Sequence, residues 1–223
     1  MLDFARHEMD GIHKSLLNMA QMSLDAVDRA LHSAYERDTV EASEVIESDH
    51  IINEMMRELD RKVMRVMALE QPVARDLRFL FGTMRMVTDL ERIGDEAYII
   101  AERALILSEK PTVDTPALLR ELGDVTQKNM LHTLKMLATL DSAMAWNMCD
   151  NIMPPVDLSR KLIREMTELT ARECHKVEGA IQFISMATML RRICEHCMNV
   201  AENVIFITEG EDVRGLYQDR IKC

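Results

Sequence analysis

The chain has 223 residues, of which 48% are hydrophobic and 29% are charged, and this composition is typical of a soluble globular protein. Only seven glycines and five prolines are present, which favours long helices and argues against a turn-rich β-sandwich. The net charge of −11 disfavours non-specific binding to nucleic acid, because such binding depends on Lys and Arg displacing counterions from phosphates.

The predicted cellular setting follows from what the chain lacks. No apolar run approaches the roughly 18 residues needed to span a bilayer. The N-terminal stretch "MLDFARHEMDG" has neither the basic region nor the apolar region of a secretion signal. Five cysteines, an odd number, fit reduced thiols better than a disulfide framework. We therefore expect a cytoplasmic protein.

Apolar periodicity predicts three long helices in the first half of the chain. The first runs from about residue 10 to 37 and ends at "ERDT", where Thr39 is a plausible N-cap for the second. The second carries apolar residues at alternating spacings of three and four and ends at "EQP", residues 70–72. The third runs from about residue 73 to 108.

The second half begins after a predicted linker, "SEKPTVDTP" at residues 108–116, in which Thr115 and Pro116 suit the start of a helix. A fourth helix is predicted over about 117–140. A fifth helical region is interrupted by "MPP" at 153–155, where two prolines must kink or break it. The last long helix covers about 177–208, and the polar tail from Glu209 is expected to be loosely held.

An internal repeat organises these helices. The stretch "DLERIGDEAYIIAERAL" at 89–105 aligns without gaps with "MLRRICEHCMNVAENVI" at 189–205, at a constant offset of 100 residues. The predicted fold is therefore all-α, with two tandem three-helix bundles resembling spectrin repeats. We place the first bundle at 1–108, the linker at 109–116 and the second bundle at 117–223.

Carboxylates interrupt the apolar stripes of the second and third helices at the same height. Asp49 lies 22 residues before the predicted turn at Gln71, and Glu91 lies 20 residues after it. In an antiparallel pair this mismatch of two residues is about 3 Å. The predicted patch combines these two residues with the side chains one turn further along each helix, Asn53 and Asp95.

Like charges held together need protonation, pairing with a cationic side chain, or a bound cation. Oxygen-rich clusters suit cations such as Fe, Mn, Mg or Ca. Arg85, Arg92 or Lys62 could instead pair with the carboxylates, and the spacing alone leaves the two interpretations open.

The second repeat departs from this pattern, because Arg191 stands where Glu91 stood and Glu195 replaces Asp95. A second site of the same kind is not expected there. Cys149, Cys194 and Cys197 could together hold zinc or act as redox thiols. The favoured interpretation is that Cys194 and Cys197 are small packing residues in place of Gly94 and Ala97.

The stretches "QPVARDLRFL", "DLERIGDEA" and "IAERAL", the weaker repeat near residue 190 and the closing "EGEDVRG" resemble the PhoU family of phosphate-signalling proteins. The resemblance implies two three-helix bundles, often dimeric, in which E(D)xxxD motifs hold iron or other metal. Glu91 and Asp95 match that motif, and Asp49 with Asn53 match the facing one, whereas only Glu195 survives in the second repeat.

The function implied by this resemblance is that of an adaptor, not an enzyme. PhoU proteins restrain phosphate uptake by a Pst-type ABC transporter and connect it to a sensor histidine kinase. The expected partners are therefore the transporter's ATPase subunit, a histidine kinase and a second copy of the chain. Contact with the membrane would be peripheral, through those partners.

Two other functions are compatible with parts of the sequence. A carboxylate-bridged di-metal enzyme or storage protein usually needs two Glu-x-x-His motifs, and only Glu47 and His50 provide one. A thiol redox sensor would use Cys194 and Cys197. No HExxH, GxSxG or Gly-rich phosphate loop is present to support hydrolysis.

Overall fold

The computed structural model describes residues 2–109 and 113–216, with side chains from residue 6 onward. All regular elements in these ranges are helices, in agreement with the predicted all-α class. They are α1 (Leu2–Glu36), α2 (Thr39–Glu70), α3 (Ala74–Glu109), α4 (Ala117–Thr139), α5 (Ser142–Asp150), α6 (Met153–Arg172), a short 3₁₀ turn (Cys174–Lys176) and α7 (Val177–Glu209). None of the described helices is long and apolar enough to cross a membrane.

Local chemistry explains where the helices of the first bundle begin and end. The N-cap of α2 is Asp38, whose carboxylate accepts the backbone N–H groups of Val40 and Glu41 at 3.0 Å, so the predicted cap at Thr39 is wrong by one residue. Helix α1 already begins at Leu2, earlier than predicted. The predicted turn at Gln71 is confirmed, because this residue ends α2 in the left-handed conformation with φ 47°.

In the second bundle, the predicted interruption separates α5 from α6. Pro154 and Pro155 occupy the first turn of α6. Backbone N–H groups in the first turn have no partner within the helix, so prolines there cost no hydrogen bond. Together α5 and α6 take the place that the single helix α2 occupies in the first bundle. The middle of the predicted linker, residues 110–112, lies outside the described residues.

The two bundles lie side by side and share a core. Helices α3 and α7 form the most extensive helix pair in the described chain, and α1 packs on α4. The α3–α7 pair is antiparallel, since Gly82 lies against Ile207 while Glu96 contacts Arg192. A Cβ atom at Gly82 would lie 2.7 Å from Ile207 Cδ1, so any side chain at this crossing would require Ile207 to shift. The third helices of both repeats therefore form the centre of the molecule.

The segment after α7 is anchored at two points, Val213 and Gly215, whereas the sequence predicts a loosely held tail. Gly210 ends the helix with φ 81°, and the chain turns back so that Val213 is buried. The Glu202 carboxylate accepts a hydrogen bond from the backbone of Gly215. This correction applies to residues 210–216, because residues 217–223 lie outside the described part of the chain.

Candidate metal centre on the second and third helices

The carboxylates predicted to share a height on α2 and α3 do interact. Asn53 donates a 2.9 Å hydrogen bond from Nδ2 to Asp49 Oδ2 along α2. The charge of Asp95 acts on Glu91 within α3 and on Asp49 across the helix pair. The antiparallel register deduced from the turn at Gln71 therefore brings the four predicted residues together.

Burial and mutual repulsion shift the titration of this cluster. The pKa of Asp49 is raised mainly by burial and then by the charge of Asp95, while the hydrogen bond from Asn53 opposes the shift. The pKa of Glu91 is also raised mainly by burial and then by Asp95, with Arg92 acting against it. Both carboxyl groups thus carry a cost of ionisation that a nearby positive charge would relieve.

Arg92 supplies part of that positive charge. Its Nε lies 3.6 Å from Glu91 Oε2, and its Nη1 lies 3.3 Å from Asp95 Oδ2. The other two cations considered for this role lie elsewhere, since Arg85 stacks on the Phe81 ring and Lys62 pairs with Glu58. Because the Arg92 side chain is 58% exposed, solvent screens these contacts and they stabilise the cluster only weakly.

The donor atoms of the cluster are carboxylate and amide oxygens, which suit a hard cation. As placed, however, no group of three or more His, Cys, Asp or Glu side chains within the described residues has an arrangement that could hold a metal ion. Metal binding would require Arg92 to leave Glu91 and Asp95 and the carboxylates to close together. The site therefore stays a prediction.

A second polar network, which the sequence reasoning missed, joins α3 to α7 beside this cluster. Asp89 accepts hydrogen bonds from His196 Nδ1 and Asn199 Nδ2, each at 2.9 Å. The nearly buried Glu96 pairs with Arg192 at 3.3 Å, and burial is the main cause of its raised pKa. Each partner comes from the other repeat, so an alignment of the repeats alone could not reveal which faces meet.

In the second repeat, Glu195 forms an ion pair with Arg191, the residue that replaces Glu91. The only predicted acidic ligand of this repeat is thus neutralised within its own helix. Whether this repeat holds a metal therefore stays a prediction.

The three candidate thiols are buried and point to different neighbours. Cys194 Sγ lies 3.5 Å from Thr126 Oγ1 and Cys197 Sγ lies 3.3 Å from Met130 Sδ, both on α4. Cys149 lies on α5, and the acidic residue with the largest effect on its pKa is Glu202. Glu202 is about two turns along α7 from Cys194. Burial raises the pKa of Cys149 to about 12 and that of Cys194 to about 11, which opposes thiolate chemistry. Their environment favours the packing interpretation.

The α2–α3 cluster, the repeated third helix and the side-by-side bundles can be compared with known proteins. The family model described as "PhoU domain" matches the chain twice, over residues 16–104 and 119–204. The chain belongs to the PhoU family. The two matches cover most of its 223 residues and correspond to the two three-helix bundles seen in the fold.

Individual relatives agree with this membership over nearly full length. The chain is 29% identical over 216 residues to a protein of Xylella fastidiosa (strain Temecula1) named "Phosphate-specific transport system accessory protein PhoU homolog", covering 97% of this chain and 88% of that protein. It is 30% identical to the similarly named protein of Pseudomonas aeruginosa, covering 96% of this chain and 89% of that protein.

Solved PhoU structures have the same fold. The crystal structure of PhoU from Pseudomonas aeruginosa superposes with a TM-score of 0.89 at 29% identity, covering 92% of this chain and 99% of that one. The regulatory protein PhoU from Streptococcus pneumoniae gives a TM-score of 0.88 at 23% identity, covering 94% of this chain and 99% of that chain. The second comparison, at its lower identity, concerns the fold alone.

Proposed function

We propose that this protein is a regulatory adaptor that restrains phosphate uptake through a Pst-type ABC transporter and keeps phosphate-starvation signalling off through a sensor histidine kinase. The observation that carries the proposal is the double PhoU match over both bundles, together with relatives named as phosphate-transport accessory proteins. The action would be cytoplasmic and would proceed by docking of helical faces onto the ATPase subunit and the kinase.

The architecture is suited to docking because its centre is rigid and its outer helices are free to carry contacts. The α3–α7 pair is held by Gly82 against Ile207 and by Asp89 with His196 and Asn199. Helices α2 and α6 each lie on the outside of their bundle, with one apolar face buried and the other facing solvent. Such surfaces can bind partner helices without rearranging the core.

Capture from purified components tests the adaptor proposal. The immobilised chain is expected to retain the purified ATPase subunit of the phosphate transporter and the cytoplasmic part of the kinase. An ATPase subunit from an unrelated ABC transporter is the matched control and should not be retained. Light scattering on the same preparation should give the mass of a dimer. Failure to capture either partner would count decisively against the adaptor function.

A metal cofactor is the second part of the proposal, with iron implied by family resemblance. Asp49, Asn53, Glu91 and Asp95 would be its ligands, and the raised pKa values of Asp49 and Glu91 indicate a cluster that gains from added positive charge. When bound, the metal would neutralise the carboxylates and fix the spacing of α2 and α3. The same residues would then present a charged surface to a partner.

Elemental analysis of the purified protein tests the metal site. We expect metal to co-purify with the wild type and to fall by about tenfold or more in Glu91→Ala/Asp95→Ala, since two of four ligands are lost. Arg92→Met should retain or increase the metal, because the competing cation is removed. Glu195→Ala, in the second repeat, is the matched control and should keep the wild-type content.

Two outcomes would reject the metal site. One is equal metal content in the wild type and the Glu91→Ala/Asp95→Ala variant. The other is no metal in any protein combined with loss of thermal stability in Arg92→Met. The latter result would favour the alternative of a salt-bridge network centred on Arg92.

A further inference from the structure

The end of the molecule formed by the α2–α3 hairpin differs in charge from the rest of the chain. Residues 61–85 contain six Lys and Arg and two Asp and Glu, a net charge of +4 in a chain whose total is −11. The equivalent segment of the second repeat, residues 161–185, contains four of each sign and is neutral. The positive charge is therefore a property of the first hairpin alone.

The same hairpin exposes large apolar side chains. At its turn, the exposed fractions are 65% for Leu69, 73% for Val73 and 44% for Leu77. Met64 at 53% and Phe81 at 43% lie further from the turn on α2 and α3. These five residues are nearly half of the exposed large hydrophobic residues found across the whole described chain, although the segment spans only 25 residues.

Three of these apolar side chains lie at the turn itself. Leu69 is in the last turn of α2, Val73 lies between the helices, and Leu77 is in the first turn of α3. The small depression lined by Arg65, Val66 and Leu69 has a volume of only about 10 Å³.

Cationic side chains surround this end. Arg61, Arg65 and Arg75 are exposed, and none of them makes a salt bridge to another described side chain. The acidic residues of the segment are Glu70 and Asp76, and Glu8 of α1 lies beside Arg65. Glu58, on α2 before the segment, feels the charge of Arg61. Guanidinium groups without a salt bridge, next to exposed apolar side chains, match a surface that is negatively charged outside and apolar beneath.

A bilayer rich in anionic phospholipid has these two properties. We propose that the α2–α3 hairpin end is a peripheral anchor for an anionic membrane surface. Leu69, Val73 and Leu77 enter the headgroup–acyl boundary, and Arg61, Arg65 and Arg75 contact lipid phosphates. This inference goes beyond the adaptor proposal and needs no partner protein.

Vesicle co-sedimentation with the full chain tests the anchor. The protein is expected to bind vesicles of phosphatidylcholine with about 30% phosphatidylglycerol, and not vesicles of phosphatidylcholine alone. Raising the salt concentration should weaken binding, because screening removes the electrostatic attraction. Leu69→Ser/Val73→Ser/Leu77→Ser and Arg61→Glu/Arg65→Glu should each weaken binding about tenfold or more.

The second repeat provides the matched control. Val177 and Ile181, which are 37% and 52% exposed, are the equivalents of Leu77 and Phe81 at the offset of 100. Val177→Ser/Ile181→Ser should bind vesicles as the wild type does, because its surroundings are neutral. Circular dichroism melting checks that all variants are folded.

The proposal is overturned if the wild type ignores anionic vesicles at low salt, or if the apolar triple variant binds them as tightly as the wild type. It is equally overturned if vesicles are not bound and the triple variant instead loses capture of a transporter or kinase component. That last result would assign the hairpin end to a protein partner and leave the adaptor function standing. If the protein binds vesicles but captures neither the transporter component nor the kinase, the membrane anchor stands and the adaptor function is rejected.

Discussion

Leu90→Ala is expected to lower the free energy of unfolding by about 3 kcal/mol, and Leu190→Ala by a similar amount. Both leucines are fully buried at equivalent positions of the two third helices. Alanine at either position leaves a cavity in the core, and α3 and α7, which carry these leucines, pack on one another and join the two bundles. Because the repeats are joined there, each variant should still unfold in a single transition, with its midpoint lowered by about 6–12 °C.

Scanning calorimetry with parallel urea titrations measures both quantities. Val40→Ala is a suitable control, since Val40 is 68% exposed and its truncation should change the stability by less than about 0.5 kcal/mol. Two separate transitions, with only one shifted in each variant, would contradict the shared core. The bundles would then be independent units connected by a linker.

Glu202→Gln is expected to make the protein more stable at pH 8 by about 3 kcal/mol while leaving it nearly unchanged at pH 5. Glu202 is almost fully buried, its Oε1 has no hydrogen-bond partner among the described residues, and its pKa is raised to about 7. Burial is the main cause, with Asp89 and Asp212 adding to the shift and the Gly215 backbone and Arg214 opposing it.

Stability falls with rising pH because the folded protein holds a proton that the unfolded chain has already released. The folded protein holds the Glu202 proton up to about pH 7, whereas the unfolded chain releases it near 4.5. This group's contribution is therefore complete below about pH 4.5 and is lost as the pH rises through 7. A glutamine cannot ionise but can still accept the Gly215 hydrogen bond, so the variant avoids that loss.

Urea unfolding at several values between pH 5 and pH 8 measures this effect, with Glu102→Gln as the control. Glu102 is the equivalent residue of the first repeat and is only partly buried. Its substitution should leave the wild-type pH dependence in place. If Glu202→Gln loses stability with rising pH as the wild type does, ionisation of Glu202 is not the cause of that loss.

The helical architecture and the α2–α3 register could be predicted because they depend on patterns within short stretches. The apolar spacing of α2, the turn at Gln71 and the equal distances of Asp49 and Glu91 from it are all local properties of the sequence. They correctly placed Asn53 beside Asp49, and placed Asp95 close enough for its charge to act on Asp49. Which of Arg85, Arg92 and Lys62 pairs with the carboxylates depends on side-chain rotamers, and residue spacing does not specify these.

Features that depend on contacts between the repeats could not be predicted. The pairing of Asp89 with His196 and Asn199 depends on which faces of α3 and α7 meet. The packing of Val213 and Gly215 against α7 depends on a left-handed turn at Gly210, which a polar composition did not indicate. The effect of Glu202 of α7 on Cys149 of α5 likewise depends on how these two helices pack.

As an adaptor, this PhoU-family chain should restrain phosphate signalling. A reporter of a phosphate-starvation promoter, in cells grown with abundant phosphate, tests it most directly. Deleting the gene should switch the reporter on, and restoring the wild-type chain should switch it off. Reporter activity that stays low in the deletion strain, under conditions where the promoter still responds to starvation, would contradict the account.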